Sequence, residues 1–261
     1  MTGFKGAIFD VDGVLVDSPH QRAWKEALRE LMEGEWAGIR ERSSWSDDRF
    51  TPEVYQRVLS GKPRMSGALA ALRYFDVPDA EDRVETYAEH KQRLVIRLIE
   101  AGEFTAYPDA LRFALAVHGA GVPAAVASSS KNAGLFLGRI RLDTFAAEQG
   151  LAYDFIQPGQ TLAGFFDADL SGRDFAHGKP DPEIFVTAAA ELHVPPEDCF
   201  VVEDAVSGVQ AAKAGGMAGL GVARADDQRM LADAHADLVV TSLDEVDLGA
   251  LAEHRLDRRA P

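Results

Sequence analysis

Short apolar runs bounded by turn residues alternate, along much of this chain, with stretches whose apolar residues return every three or four positions. The first run, Ala7-Ile8-Phe9, has the length and flanks of a buried strand. After Ser18 the period becomes helical: Trp24, Ala27, Leu28 and Leu31 recur with Lys25, Glu26 and Arg29 between them. That period persists to about Gly102, through Val54 to Val58, Ala68 to Leu72 and Tyr87 to Ile99, with breaks at Gly34, Ser43-Ser44, Gly61-Lys62-Pro63 and Val77-Pro78. From Tyr107-Pro108 the alternation resumes. It predicts helices over 109–118, 134–140, 182–192, 209–214 and 227–234, and strands over 122–127, 200–204, 217–222 and 236–240. Residues 143–178 are the least regular: Tyr153-Asp154-Phe155 can start a strand, and 164–174 reads as loop or hairpin. The polar run from His254 to Arg259 reads as a frayed tail.

Strands alternating with helices of this length call for a parallel sheet with right-handed crossovers. An all-helical block directly after one strand does not fit a simple crossover and reads as an insertion. The expected architecture is therefore α/β: a Rossmann-like parallel-sheet core over 1–17 and 103–261, with an all-helical domain over 18–102.

The 261 residues suffice for one large domain with such an insertion, and 46% hydrophobic with 26% charged residues is ordinary for a globular protein. A formal net charge of −15 disfavours nucleic acid and anionic membrane surfaces, which bind basic patches. An anionic substrate must then be drawn by a local positive group. The one cysteine, Cys199, rules out a disulfide within the chain, and its apolar run Cys199 to Val202 marks it as a buried, inert thiol. No apolar run is long enough to span a bilayer, and the first strand begins too early to leave room for a signal peptide, so a cytoplasmic enzyme is expected.

Polar groups gather where the predicted strands end. Asp10 and Asp12 follow the first strand and precede Gly13; Ser128-Ser129-Ser130-Lys131-Asn132 follows the next; Glu203 and Asp204 end a third; Gly178-Lys179-Pro180-Asp181 opens a helix. In a parallel sheet all of these share the carboxyl edge, where ligands bind. Alone, Asp10 and Asp12 are as consistent with an Asp-Gly turn as with a metal site or a nucleophile. Together, the groups suit phosphoryl chemistry: carboxylates for Mg²⁺, a hydroxyl and helix N–H groups for phosphate oxygens, and a lysine against transition-state charge.

These residues carry a resemblance. Asp-x-Asp-Gly-Val with Asp17-Ser18, a strand ending in Ser128, Gly178-Lys-Pro-Asp-Pro182 and Val202-Glu-Asp-Ala-x-x-Gly208, in that order, resemble the four motifs of the haloacid dehalogenase superfamily, in the subgroup with a helical cap. The resemblance implies that Asp10 is a nucleophile forming an aspartyl phosphate, Asp12 the general acid and base, Ser128 a phosphoryl ligand and Lys179 a screening cation. It also implies that Asp10, Glu203, Asp204 and the backbone carbonyl of Asp12 hold Mg²⁺. The dehalogenase branch lacks the second aspartate, and phosphonatases carry a small residue at that place.

Within the superfamily the chain is similar to the β-phosphoglucomutase-like branch, through His20-Gln-Arg-Ala-Trp24, Leu59-Ser-Gly-Lys-Pro-Arg64, a cap lysine matching Lys91, and Ser128 to Asn132. That likeness implies substrate-binding roles for His20, Arg64, Lys91, Ser129 and Asn132. There are departures: a short segment between Ser18 and His20, Ser60 where the family has a loop lysine (with Lys62 nearby), and a long 143–178. The expected function is a Mg²⁺-dependent phosphatase for a small phosphorylated metabolite such as a sugar phosphate. The alternatives are a β-phosphoglucomutase and, remotely, a non-catalytic phosphate sensor. The expected state is a monomer or weak homodimer with a small-molecule substrate as its partner.

Overall fold

The computed structural model describes residues 3–260. The described residues form two compact units, one of 3–17 with 106–260 and one of 18–105, so the helical insertion runs three residues past 102.

The first unit is built on six parallel strands: β1 (Gly6–Phe9), β2 (Ala124–Val126), β3 (Ala168–Asp169), β4 (Cys199–Glu203), β5 (Ala218–Val222) and β6 (Leu238–Val240). Their spatial order is β3-β2-β1-β4-β5-β6. The order reverses between β1 and β4, the crevice where ligands bind in doubly wound sheets. β1, β2 and β4 are buried throughout, because helices cover both faces, and this is why they read as apolar runs without alternation. On one face Ile8, Ala125 and Val201 pack with Phe185, Ala188, Ala211 and Ala212 of the helices Glu183–Glu191 and Val206–Ala214. On the other, Phe113 of the helix Pro108–Gly119 sits edge-on to Phe9 and Phe200, with ring centres 6.1 and 6.2 Å apart.

Three expectations for this unit need correction. Tyr153 and Phe155 start no strand; they stack on each other at 4.9 Å, with Phe155 against His118 and Tyr153 over Gly119, where an added Cβ would stand 2.9 Å from the ring. The stretch 164–174 holds no hairpin but the short edge strand β3, whose residues Ala168 and Asp169 pair with Ala125 and Val126, while Leu142–Glu148 is a helix. Nor is the tail frayed. His254 stacks on Phe4 at 4.2 Å, Arg259 N–H donates to Glu245 O at 2.7 Å, and Arg258 pairs with Glu245 at 3.0 Å.

The second unit contains the helices His20–Glu33, Pro52–Val58, Arg64–Tyr74 and Ala80–Glu100. Ala23, Trp24, Ala27, Leu28 and Leu31 form the buried stripe of the first, and Val84, Tyr87, Ala88, Lys91, Leu94, Val95 and Leu98 that of the last. Tyr87 Oη donates to the carbonyl of Trp24 at 2.8 Å, and the two rings meet edge-on at 5.0 Å. Among the described residues no helix is long and apolar enough to cross a membrane.

Candidate active site

Strand register sets the site. Phe9 is level with Val126 on one side and Val202 on the other, so the residues that follow them share one level of the sheet edge. The ladder extends one step beyond the strands: Ala127 N–H donates to Phe9 O at 2.8 Å and Asp10 N–H to Val202 O at 3.1 Å. Asp10, Ala127 and Glu203 are therefore level where the strand order reverses, and Ser128 follows one residue beyond Ala127.

Lys179 comes from the turn ahead of the helix Glu183–Glu191 and is fully enclosed. Its Nζ donates to Asp10 Oδ1 and to Glu203 Oε1, each at 2.6 Å, and lies 4.7 Å over the ring of Phe185. The peptide bond from Lys179 to Pro180 is cis. Glu203 spends its second oxygen on the N–H of Ala205, at 3.0 Å. Burial alone would depress the lysine, but the carboxylates of Asp10 and Glu203 outweigh it and hold its pKa above the ordinary value. Asp10 is pushed up to about 7 by burial, with Glu203 and Asp12 adding to the rise and Lys179 opposing it. Asp204 is likewise raised well above the ordinary value by burial and by the charges of Glu203 and Asp10.

Asp10, Glu203 and Asp204 each offer an oxygen within 4.8 Å of the others. Two buried carboxylates and the half-buried Asp204 against one ammonium leave a surplus of negative charge, and such a surplus away from water calls for a cation or for protonation. The donor set is all oxygen, which suits Mg²⁺. Two glycines make room for it. A Cβ on Gly13, whose φ is +83°, would fall 2.0 Å from Asp204 Oδ2, and one on Gly208 would fall 1.9 Å from Glu203 Cδ. These glycines and the two acids were legible as motif letters, but not that each glycine makes room for one of the acids.

The loop after β2 is shaped by its own hydroxyls. Ser128 Oγ accepts the N–H of Ser130 at 3.1 Å, and Ser130 Oγ that of Asn132 at 3.3 Å. Ser128 and Asn132 are buried and Ser129 is half-buried. His177, Asp181 and Glu183 form a second close set of possible ligands. They are more exposed and bonded to one another: His177 N–H donates to Glu183 Oε2 at 2.9 Å, and Glu183 N–H to Asp181 Oδ1 at 3.0 Å. Their evident work is to shape the turn that presents Lys179.

In the helical unit the structure brings His20 and Lys91 together, with Lys91 Nζ 3.5 Å from His20 Nδ1 and 4.8 Å over the ring of Trp24. Both are buried. Although Arg93 and Arg97 lie close by on the same helix, Lys91 continues the buried stripe of Tyr87, Leu94 and Leu98. Arg64 opens the helix Arg64–Tyr74 and is exposed. Lys62 turns back to donate to Val58 O at 2.5 Å, and burial lowers its pKa.

Comparison with known proteins agrees with this geometry. Residues 4–216 match the family model of haloacid dehalogenase-like hydrolases. A β-phosphoglucomutase of Mycobacterium bovis is 31% identical, covering 93% of this chain and 91% of its own. A phosphorylated carbohydrates phosphatase of Thermotoga maritima is 28% identical over 82% of each. The crystal structure of an archaeal β-phosphoglucomutase from Pyrococcus sp. strain ST 04 superposes with a TM-score of 0.66 at 28% identity, covering 94% and 96% of the two chains. With the motifs, the sheet order and the enclosed lysine–carboxylate cluster in agreement, the chain belongs to the haloacid dehalogenase-like hydrolases, as a β-phosphoglucomutase-like enzyme of phosphoryl transfer.

Proposed function

We propose that this protein is a Mg²⁺-dependent phosphatase that takes the phosphoryl group of a small sugar phosphate onto Asp10 and passes it to water. The observation that carries this reading is the enclosure of Asp10 with Lys179 at 2.6 Å beside two further acids. A carboxylate oxygen of Asp10 attacks phosphorus; the bond from phosphorus to the leaving oxygen breaks, and Asp12, protonated, gives that oxygen its proton. Asp12, now a carboxylate, takes a proton from the water that attacks the aspartyl phosphate, releasing phosphate and restoring Asp10. Lys179 screens the charge on the phosphoryl oxygens, and the Ser128 hydroxyl can donate to one of them. Asp10, Glu203, Asp204 and the carbonyl of Asp12 would hold Mg²⁺, which when bound supplies further positive charge to those oxygens.

Sugar phosphates are proposed as substrates because the relatives include a β-phosphoglucomutase and a phosphorylated carbohydrates phosphatase. Two features of the helical unit support hydrolysis over mutase activity. The residue before Gly61 is Ser60, and the nearest lysine, Lys62, is engaged by Val58, leaving Arg64 alone in that loop to grip a second phosphate. One observation favours the second reading, a β-phosphoglucomutase: the buried His20–Lys91 pair provides the cap with a polar grip on a sugar phosphate.

Incubation with Mg²⁺ and a panel of sugar phosphates, with and without a trace of β-glucose 1,6-bisphosphate, separates the readings. Free phosphate formed by wild type and not by Asp10→Asn is expected. Glucose 6-phosphate from β-glucose 1-phosphate without net phosphate release would refute the phosphatase in favour of the mutase. Inactivity of wild type on the whole panel would remove both.

A further inference from the structure

Directly after β5, Arg224 reaches across the sheet edge to the turn that follows Asp10. Its Nε donates to the carbonyl of Gly13 at 3.2 Å and its Nη2 to that of Val14 at 3.1 Å. The next carbonyl, of Leu15, accepts the N–H of Tyr107 at 3.0 Å. Three successive carbonyls of the turn are thus held by residues far away in the chain. Arg224 is itself fixed on two further sides. Its Nη1 donates to Asp109 Oδ2 at 2.8 Å, and its guanidinium carbon lies 3.8 Å over the ring of Tyr107. The same Asp109 oxygen accepts the N–H of Leu243 at 2.8 Å and the hydroxyl of Ser242 at 3.2 Å.

A planar fork with donors on separate nitrogens can meet two carbonyls and a carboxylate at once, whereas an ammonium on a flexible stem cannot keep all three geometries. The turn it grips has no slack. A Cβ on Gly13 would overlap the carboxylate of Asp204, so the Gly13 backbone lies directly against that acid. A shift of the turn moves Asp12 and Gly13 and changes the seat of Asp204 beside Asp10.

We propose that Arg224, held by Asp109 and Tyr107, is a positioning residue that sets the Asp12–Val14 turn and through it the relation of Asp12 and Asp204 to Asp10. This rests on the reading of Asp10 as nucleophile. Arg224 acts through the backbone of the turn, by its bonds to the carbonyls of Gly13 and Val14.

The test compares wild type, Asp10→Asn, Arg224→Met and Arg224→Lys, with p-nitrophenyl phosphate and Mg²⁺ as probes and amide hydrogen exchange over residues 13–16 as an activity-independent readout. In Arg224→Met, kcat is expected to fall about 10- to 100-fold, the scale set by small misplacement of reacting groups, with KM nearly unchanged. The Mg²⁺ concentration for half-activation is expected to rise about ten-fold, as when a ligand loses its outer support. Exchange at 13–16 is expected to quicken about ten-fold as local opening becomes easier. Arg224→Lys is expected to recover part of each loss. Arg224→Met with wild-type kcat, Mg²⁺ response and exchange overturns the proposal, whatever its melting temperature. If Arg224→Met does not fold, Arg224→Lys decides by the same three measurements. If wild type is inert, or Asp10→Asn as active as wild type, the reading of Asp10 has failed instead, and exchange at 13–16 alone judges Arg224: unchanged exchange overturns its role.

Discussion

Replacing Gly208 by alanine sets helix propensity against a steric clash. Gly208 lies in the helix Val206–Ala214, where alanine would ordinarily stabilise by roughly 0.5–1 kcal/mol. Here the new Cβ would stand 1.9 Å from both Cδ and Oε1 of Glu203 and 2.4 Å from Oε2. Glu203 cannot swing aside without loss, because it is 1% exposed, holds Lys179 at 2.6 Å and accepts the Ala205 N–H at 3.0 Å. Forcing extra volume into a packed interior costs about 1–3 kcal/mol. Net destabilisation of about 1–2 kcal/mol is expected, lowering Tm by roughly 2–8 °C. Displacement of Glu203 also withdraws a partner from Lys179, so kcat should fall by about 10²-fold or more, the size seen when one preorganised electrostatic group is lost. The assays are thermal unfolding and Mg²⁺-dependent release of p-nitrophenol. Gly134→Ala is the control: nothing lies within 4 Å of its added Cβ, so it should be neutral or slightly stabilising with unchanged kcat. A Gly208→Ala protein that melts higher than wild type and keeps its kcat would refute the reasoning.

Removal of metal should expose the charge surplus of the site. Burial raises Asp10 to about 7, so its folded pKa lies above its unfolded one; the metal-free protein should lose stability as pH rises from about 4 towards 7. Added Mg²⁺, which favours the carboxylate, should accordingly raise Tm more at pH 8 than at pH 5.5, and an equal rise at both would contradict this. Asp109 behaves oppositely: burial alone would raise it, but Arg224, the Leu243 N–H and Ser242 hold it below the ordinary value. Its contribution is present above the unfolded pKa of about 3.9 and disappears as pH falls through the folded value. Asp109→Asn should therefore be less stable than wild type in urea at pH 7, with the gap closing in acid; a gap independent of pH would count against it. His254→Ala removes the ring stacked at 4.2 Å on buried Phe4 and should cost about 0.5–1.5 kcal/mol in urea unfolding. No loss would mean that the tail is not fastened there.

Much of the site could be read from strand ends. A strand buried on both faces must be apolar, so the polar residues that terminate Ala7 to Phe9, Ala124 to Val126 and Cys199 to Val202 stand out, and parallel topology places them on one edge. Lys179 was legible from its motif. Lys91 was legible as a cap lysine, and its spacing from Tyr87 and Leu94 places it in the buried stripe. The edge strand Ala168–Asp169 has two residues, too few to show any periodicity, and exists through hydrogen bonding to β2. Arg224 and Asp109 gave no local signal: they meet across 115 positions, and Arg224 reaches Gly13 across 211.

By itself, then, the sequence determined the alternation of strands and helices, the helical insertion and the kinds of group at the sheet edge, because apolar periodicity and turn chemistry are local properties. Tertiary structure decided what those groups are like. Enclosure raises Asp10, two carboxylates at 2.6 Å keep Lys179 charged, and Gly13 and Gly208 leave room for acids that would otherwise clash. Desolvation, ion pairing and steric room depend on which atoms surround a group in space, and at this sheet edge those atoms come from residues up to 211 positions apart.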